Sequence, residues 1–150
     1  MVRLEDSFAR VANGLYMGSK PPPDHRLGLV FSAIVLCAME YQPGHGSFGR
    51  AIIIRCPIDD AVLSEREYHC ALAAARDVAR LRRMGHRVLV TCAMGLNRSG
   101  LVTAMSLILC GSTAKDAIRL VRLARTGEAL FNKHFVQVLH DFEKNHRRAA

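Results

Sequence analysis

Short apolar runs alternate along the chain with longer segments of helical periodicity. The apolar runs are rich in Val, Ile and Leu and are bounded by Gly, Pro or polar residues, a pattern that predicts buried β-strands. Four strands are predicted in this way, over Leu15 to Gly18, Leu29 to Cys37, Ala51 to Arg55 and Val88 to Thr91. The third run contains three consecutive isoleucines, which favours a strand buried in the interior of the sheet.

The longer segments carry the start and stop signals of helices. Ser64 with Glu67, and Thr113 with Asp116, have the spacing of a capping box, in which two side chains bind backbone amides that a helix N-terminus leaves free. A further segment is apolar on nearly all sides, which predicts a buried helix. The predicted helices are Ser64 to about Met84, Gly100 to Leu109 (the apolar one), Thr113 to about Arg125, and Asn132 to Lys144.

This alternation predicts an α/β fold, with a central, mostly parallel sheet of about four to five strands flanked by helices. With 150 residues, 50% of them hydrophobic, the chain is expected to form one domain over residues 1–150, because this length supports one hydrophobic core. No apolar run reaches the roughly 20 residues of a membrane span. The N-terminus is charged and lacks the hydrophobic region of a signal peptide.

Cysteine and histidine usage indicates the compartment and the absence of a metal centre. The five cysteines are odd in number and scattered, which argues against a disulfide framework and against a zinc site. The seven histidines show no metal-ligand spacing. We therefore expect a cytoplasmic protein with reduced thiols and without a metal or other cofactor.

The net charge of +8 predicts acidic partners. Phosphorylated proteins, RNA and anionic lipid headgroups all fit that description. The oligomeric state does not follow from the sequence.

The segment from Val88 to Gly100 carries the clearest chemistry in the chain. A β-branched strand delivers Cys92 into a short loop, Arg98 and Ser99 follow, and an apolar helix begins at once. Backbone amides at a helix N-terminus form an anion site, and an arginine fork adds two further donors. The same positive field is expected to lower the pKa of Cys92 from about 8.5 into the range of about 3.5–7.5 seen for activated thiols. A thiolate facing a bound phosphate predicts phosphoryl transfer through a cysteinyl-phosphate.

The loop from Cys92 to Gly100 resembles the signature loop of the cysteine-based protein tyrosine phosphatase superfamily. Within that superfamily, the small size of the chain is typical of the dual-specificity branch. Asn13 to Ser19 is similar to the first-strand motif of that branch. Arg55 to Asp60 is similar to the segment that carries its general acid, and Ala117 to Arg125, followed by Asn132 and Phe135, is similar to its two C-terminal helices. The resemblance covers about residues 10 to 145 and implies a dual-specificity-phosphatase-like fold.

The resemblance also implies roles for the loop residues. Cys92 would be the nucleophile, Arg98 the phosphate clamp, and Ser99 the donor of a hydrogen bond to the departing thiolate. Gly95 would leave room for the oxyanion, and Asn97 would brace the loop. The residues whose backbone amides would hold the phosphate oxygens are Ala93, Met94, Gly95, Leu96 and Asn97.

A general acid is needed to protonate the leaving oxygen. Asp59 and Asp60 follow Pro57 at the end of a predicted strand. In the family the acid usually comes three residues after this proline, a position that Asp60 occupies. We therefore predict Asp60 as the acid, with Asp59 as the open alternative.

One departure from the family pattern and one further resemblance keep other functions open. The family usually has His before the nucleophile, where this chain has Thr91, whose hydroxyl can replace part of the imidazole's hydrogen bonding. The main prediction is a metal-independent protein phosphatase acting on phosphotyrosine and on phosphoserine or phosphothreonine. The Asn97–Arg98 pair is similar to the loop of RNA 5′-triphosphatases of the same superfamily, which makes that activity the first alternative. The second alternative, indicated by Thr91, is a relative that binds phosphate without turnover. A protective disulfide between Cys92 and another cysteine is a further alternative.

Overall fold

The structure is a computed structural model that describes residues 4–125 and 127–149. Within these residues five strands form one sheet: β1 (Ala9–Ala12), β2 (Leu15–Ser19), β3 (Ala33–Ala38), β4 (Ile52–Ile58) and β5 (Val88–Cys92). Their order is β1-β2-β5-β3-β4, with β1 antiparallel to β2 and every other pairing parallel. The predicted α/β class and mostly parallel sheet are confirmed.

The helices cover the two faces of the sheet unequally. They are α1 (Leu27–Val30), α2 (Glu65–Arg83), α3 (Arg98–Leu109), α4 (Ala114–Ala124) and α5 (Lys133–Ala149), preceded by a 3-10 turn over Leu4–Ser7. The larger core lies between the sheet and α2 to α5, and α3 is buried from Arg98 to Ile108. A helix surrounded in this way needs apolar residues on all sides, which explains its composition.

Strand β3 contributes to the cores on both faces. Ala33, Val35 and Cys37 point into the larger core, whereas Ile34 and Leu36 join a smaller one with Phe31 and Phe48. Successive strand residues face opposite sides of a sheet, so a strand buried on both faces must be apolar throughout. This burial pattern identifies β3 and the fully buried β5 as the centre of the sheet.

Two strand predictions are wrong in part. The apolar run predicted as one strand from Leu29 begins in α1, and the Leu29 side chain is exposed. The run of three isoleucines is not buried inside the sheet, because β4 is an edge strand and Ile52 is 57% exposed. Apolar content alone does not separate a helix from a strand, or an edge strand from a central one. The strand β1, on the other edge, was not predicted.

The helices begin and end close to their predicted limits, with two exceptions. The Ser64 hydroxyl oxygen accepts a hydrogen bond from the Glu67 amide, and the Glu67 carboxylate accepts one from the Ser64 amide, so the predicted capping box is present. At α4 the Thr113 hydroxyl accepts a hydrogen bond from the Asp116 amide, but the Asp116 carboxylate pairs with Arg119 at 3.7 Å. Only half of the second predicted capping box is therefore present. The helices α3 and α5 extend beyond their predicted limits, to Arg98 at one start and Ala149 at one end.

The capping box at Ser64 also connects α2 to the loop that follows β4. Glu67 Oε2 accepts a hydrogen bond of 2.7 Å from the Asp59 amide, and this bond is the main cause of the lowered pKa of Glu67. The loop carrying Asp59 and Asp60 is thereby attached to the start of a 19-residue helix.

We expect Ser64→Ala to lower the free energy of unfolding by about 1 kcal/mol, because it removes the acceptor that satisfies a free amide at the start of α2. Urea unfolding of the variant and the wild type measures the change. Substitution of the exposed Ser7 by alanine is the control. If both substitutions lowered the free energy of unfolding equally, the Ser64 cap would not be the source of the stabilisation.

Candidate active site

A small cavity of about 110 Å³ lies where β5 ends and α3 begins. The carboxyl ends of parallel strands meet at this edge of the sheet, which is the usual place for a ligand site in an α/β fold. The residues that line the cavity are Asp60, Cys92, Ala93, Met94, Leu96, Asn97, Arg98 and Phe131. Every predicted site residue except Gly95 and Ser99 therefore borders one cavity. Phe131, 61% exposed at its rim, was not predicted.

The loop between β5 and α3 has the geometry of an anion cradle. It joins Cys92, the last residue of β5, to Arg98, the first residue of α3. Its amides lie at the positive end of the helix dipole, where an anion is stabilised. Gly95 has a φ of +68°, and a Cβ there would lie 2.5 Å from the Gly18 carbonyl carbon. The positive φ and the contact with β2 both require glycine here. Its predicted role in leaving room for an oxyanion stays a prediction.

Cys92 and Ser99 contact each other at the base of the cavity. The Cys92 Sγ and Ser99 Oγ atoms lie 3.1 Å apart, and both residues are buried. A hydroxyl at this distance can donate to a thiolate. This is the arrangement expected of a nucleophile with a donor that stabilises it as a leaving group.

Two further cysteines lie on the two strands beyond β5 in the sheet. Cys37 follows the β3 residue that pairs with Thr91, and Cys56 lies on β4. Burial raises the pKa of the Cys37 thiol well above its usual value. Cys37 is therefore held as a neutral thiol within the sheet, and Cys92 is the cysteine at the cavity. All three carry free thiols.

Arg98 is held by two neighbouring strands. Its Nη1 donates to Glu40 Oε2 at 2.7 Å and to the Ile58 carbonyl at 3.1 Å, while Nη2 donates to Glu40 Oε1 at 2.6 Å. A guanidinium has five N–H donors. The Nε–H and one Nη2–H remain together on one edge, which is the pair that binds two oxygens of a phosphate.

Glu40 was not predicted from the sequence. It lies two residues after β3, and its hydrogen bonds with Arg98 lower its pKa to about 2. A single glutamate after a buried strand does not by itself indicate a functional residue. Its position at the carboxyl end of a parallel strand is the one feature that could have indicated it.

Asp60 is held over the cavity by two asparagines. Asn97 Nδ2 donates to Asp60 Oδ2, and Asn132 Nδ2 donates to Asp60 Oδ1, both at 2.9 Å. Asn97 Oδ1 in turn accepts from the Asn132 amide at 3.1 Å. Asn97 therefore joins the loop to both the Asp60 segment and the start of α5. Asn132, predicted only as part of the C-terminal resemblance, is thus a contact of the candidate acid.

Asp59 occupies a different environment. Its carboxylate accepts a hydrogen bond from the Asp60 amide at 2.9 Å, and it does not line the cavity among the described residues. The geometry therefore favours Asp60 over Asp59 as the carboxyl that can reach a bound ligand.

Thr91 does not take the place of a loop-orienting imidazole. Its buried hydroxyl donates to the Val35 carbonyl on β3 at 2.9 Å. The loop is braced instead from α4, because Arg125 donates to the Gly95 carbonyl at 2.9 Å and to the Met94 carbonyl at 3.2 Å. Arg125 is a further functional residue that the sequence did not identify in this role.

Two negative findings apply to the described part of the chain. No helix in it is long and apolar enough to cross a membrane. In the same residues, no group of three or more His, Cys, Asp or Glu side chains is arranged to hold a metal ion.

Comparison with known proteins identifies the fold. No protein-family model and no curated protein matches the chain. Among solved structures, Tk-PTP in its active form is similar at a TM-score of 0.80 and 23% identity, covering 92% of this chain and 97% of that one. Human DUSP28 is similar at a TM-score of 0.80 and 23% identity, covering 95% and 99%. A mouse protein described as a dual specificity phosphatase, complexed with zinc tungstate, is similar at 0.81 and 24%, covering 95% and 90%.

The chain is an α/β protein with a cysteine at the end of its central strand and an arginine at the start of the next helix. The structural neighbours place it more closely: this chain has the dual-specificity-phosphatase fold of the cysteine-based protein tyrosine phosphatases. The resemblance predicted from the sequence is thereby confirmed for the fold.

The Glu40–Arg98 ion pair should make stability depend on acid pH. The pKa of Glu40 is lowered in the folded state, so the pair stabilises the protein above about pH 4.5, and this contribution is lost as the pH falls toward about 2. At pH 7 we expect Glu40→Gln to cost about 1 kcal/mol, since Glu40 is half-exposed and solvent screens the pair.

Urea unfolding at several pH values between 7 and 3 measures this dependence. The difference in the free energy of unfolding between the wild type and Glu40→Gln should become smaller as the pH falls below 4.5. Asp141→Asn, at an exposed position on α5 where the new amide oxygen can still accept from Gln137, is the matched control. A difference that stays constant with pH would show that the ion pair is not its source.

Proposed function

We propose that this protein is a metal-independent, cysteine-dependent phosphatase that hydrolyses phosphotyrosine, and also phosphoserine and phosphothreonine, in proteins. The observation that carries the proposal is that Cys92, Arg98 and Asp60 border one cavity of about 110 Å³ at the N-terminus of a buried helix. A nucleophile, a cationic clamp and a proton donor are the groups that phosphoryl transfer requires.

In the first step the Cys92 thiolate attacks phosphorus while the ester bond to the leaving oxygen breaks. The loop amides and the free edge of Arg98 hold the three equatorial oxygens, where charge is concentrated in the transition state. Asp60 gives its proton to the leaving oxygen, which departs as an alcohol or phenol. The products of this step are a cysteinyl-phosphate and an ionised Asp60.

In the second step a water molecule attacks the cysteinyl-phosphate. Asp60 takes a proton from the water as the new P–O bond forms, and the P–S bond breaks to release inorganic phosphate. Ser99 donates a hydrogen bond to the departing Cys92 thiolate, supported by their 3.1 Å contact. Both residues then return to their starting protonation states.

The rim of the cavity supports a phosphorylated protein side chain as the substrate. Met94 and Phe131 are 69% and 61% exposed beside the cavity, and the other side chains of the loop are uncharged. Exposed apolar side chains can pack against the aromatic ring of phosphotyrosine. The small cavity volume favours entry of the phosphate group with little of the residue that carries it.

Cys92→Ser should abolish hydrolysis of an activated aryl phosphate, with a loss of at least about 10³-fold, because serine is not ionised at neutral pH. The assay contains a chelator and a reductant, and it is run on the wild type, Cys92→Ser and the control Cys110→Ser. Cys110 is an exposed thiol at the end of α3. We expect the control to keep full activity.

The other outcomes of this assay distinguish the alternatives. Equal activity of Cys92→Ser and the wild type would remove Cys92 from the mechanism. A wild type that binds phosphate without turnover would be the phosphate-binding relative that Thr91 suggested. A second assay compares phosphopeptides with RNA that carries a 5′-triphosphate. Hydrolysis of the RNA alone would identify the protein as an RNA 5′-triphosphatase and contradict the protein phosphatase function.

Asp60→Asn should slow aryl phosphates with poor leaving groups by about 10²–10⁴-fold and those with good leaving groups far less, since only a basic leaving oxygen needs a proton. Asp59→Asn is the matched control and should leave both rates nearly unchanged. A series of substituted phenyl phosphates measures the dependence. An equal loss across the series, or the same pattern in Asp59→Asn, would contradict the role of Asp60.

A further inference from the structure

A second cavity of about 250 Å³ lies at the opposite end of the sheet from Cys92. His86 and Arg87, which border it, immediately precede β5, whose other end is Cys92. At about 3.3 Å per residue, the five residues of this strand separate the two cavities by roughly 17 Å. The second cavity is therefore independent of the candidate active site.

Positively charged side chains dominate this cavity. Three arginines, Arg10, Arg82 and Arg87, line it together with His86 and Tyr16. Among the described residues that border it, none carries a carboxylate. Guanidinium groups gathered without a counter-charge repel one another, and a bound anion would relieve that repulsion.

Arg82 is already oriented for binding. Its Nε and Nη2 donate to the Asn13 carbonyl at 3.1 and 3.0 Å, which fixes the plane of the guanidinium. The Nη1 hydrogens stay available to a ligand. Gly85, which also lines the cavity, has a φ of +87°, and the space where its Cβ would lie is open.

His86 is also fixed on one side. Its Nδ1 lies 3.0 Å from Ser32 Oγ. When the serine hydroxyl donates to Nδ1, the proton of the neutral ring lies on Nε2, which is then a donor. In that tautomer, the Nε2–H of His86 adds one donor to those of the arginines.

We propose that this cavity is a second anion-binding site and that it binds a small anion bearing a diphosphate group. Arginine forks match the oxygens of phosphate groups in geometry as well as in charge. The volume is more than that of the candidate active site, yet it falls below the roughly 300–1,000 Å³ of pockets for drug-sized ligands. These dimensions favour a small polyanion over a single phosphate or a large organic ligand.

Titration of the ¹⁵N-labelled protein with inorganic diphosphate, followed by amide NMR shifts, tests the proposal. The amides of Gly14, Gly85 and His86 should shift and saturate with their own dissociation constant, separate from any shift of the loop at 93–97. The absence of saturable shifts at these three amides would overturn the proposal, whatever the loop amides do. Failure of the second site is thereby distinguished from failure of the proposed phosphatase site.

Charge reversal then assigns the binding to the arginines. The double variant Arg10→Glu with Arg87→Glu should weaken diphosphate binding at Gly85 and His86 by at least about tenfold. Arg82 is left in place because it holds the Asn13 carbonyl. The control, Arg50→Glu with Arg76→Glu, changes the net charge equally at exposed positions outside the cavity.

The control double variant distinguishes binding at this cavity from a general attraction of diphosphate to a basic protein. Equal weakening in both double variants would overturn the proposal. A parallel titration with ADP identifies the source of the diphosphate group: tighter binding of ADP at the same amides indicates an organic diphosphate, and equal or weaker binding indicates the free anion.

Discussion

The burial of the Arg98 guanidinium is the constraint on which the site depends. A cation that is only 8% exposed must have its charge and its donors satisfied within the protein. Glu40 supplies the charge and the Ile58 carbonyl accepts a third hydrogen bond, so two strands position one side chain of α3. The guanidinium can rotate little once these bonds form. Its remaining edge is therefore oriented toward the cavity before any ligand arrives, which is the condition for electrostatic stabilisation without reorganisation.

Parallel pairing gathers the other groups around this arginine. Glu40 follows β3, Asp60 follows β4 and Cys92 ends β5, and these three strands are adjacent in the sheet. Their carboxyl ends must meet at one edge, so residues distant in sequence come together there. The amino end of β5, beside the β1–β2 turn, carries the arginine-lined cavity. Strand β5 thus separates the two cavities by its own length.

The sequence predicted the parts of this site that are local. The strand, loop and helix around Cys92 follow from adjacent residues, and the capping box at Ser64 is a pattern of four positions. The contacts of Glu40, Asn132 and Arg125 join segments far apart in the chain, and no local pattern indicates them. The edge position of β4 was missed for the same reason, since a strand's neighbours in the sheet are a property of the whole fold.

The braces of the loop explain how it keeps its shape with threonine before the nucleophile. The Thr91 hydroxyl is bound to β3, so it contributes to the packing of the sheet. Arg125 instead binds two carbonyls of the loop from α4, and Asn97 links the loop to Asp60 and Asn132. Arg125 thereby holds the Met94 and Gly95 carbonyls in place, and Asn97 holds the end of the loop next to α3. The cradle is thus preorganised by α4 and the start of α5, and these supports act on the loop independently of the residue at position 91.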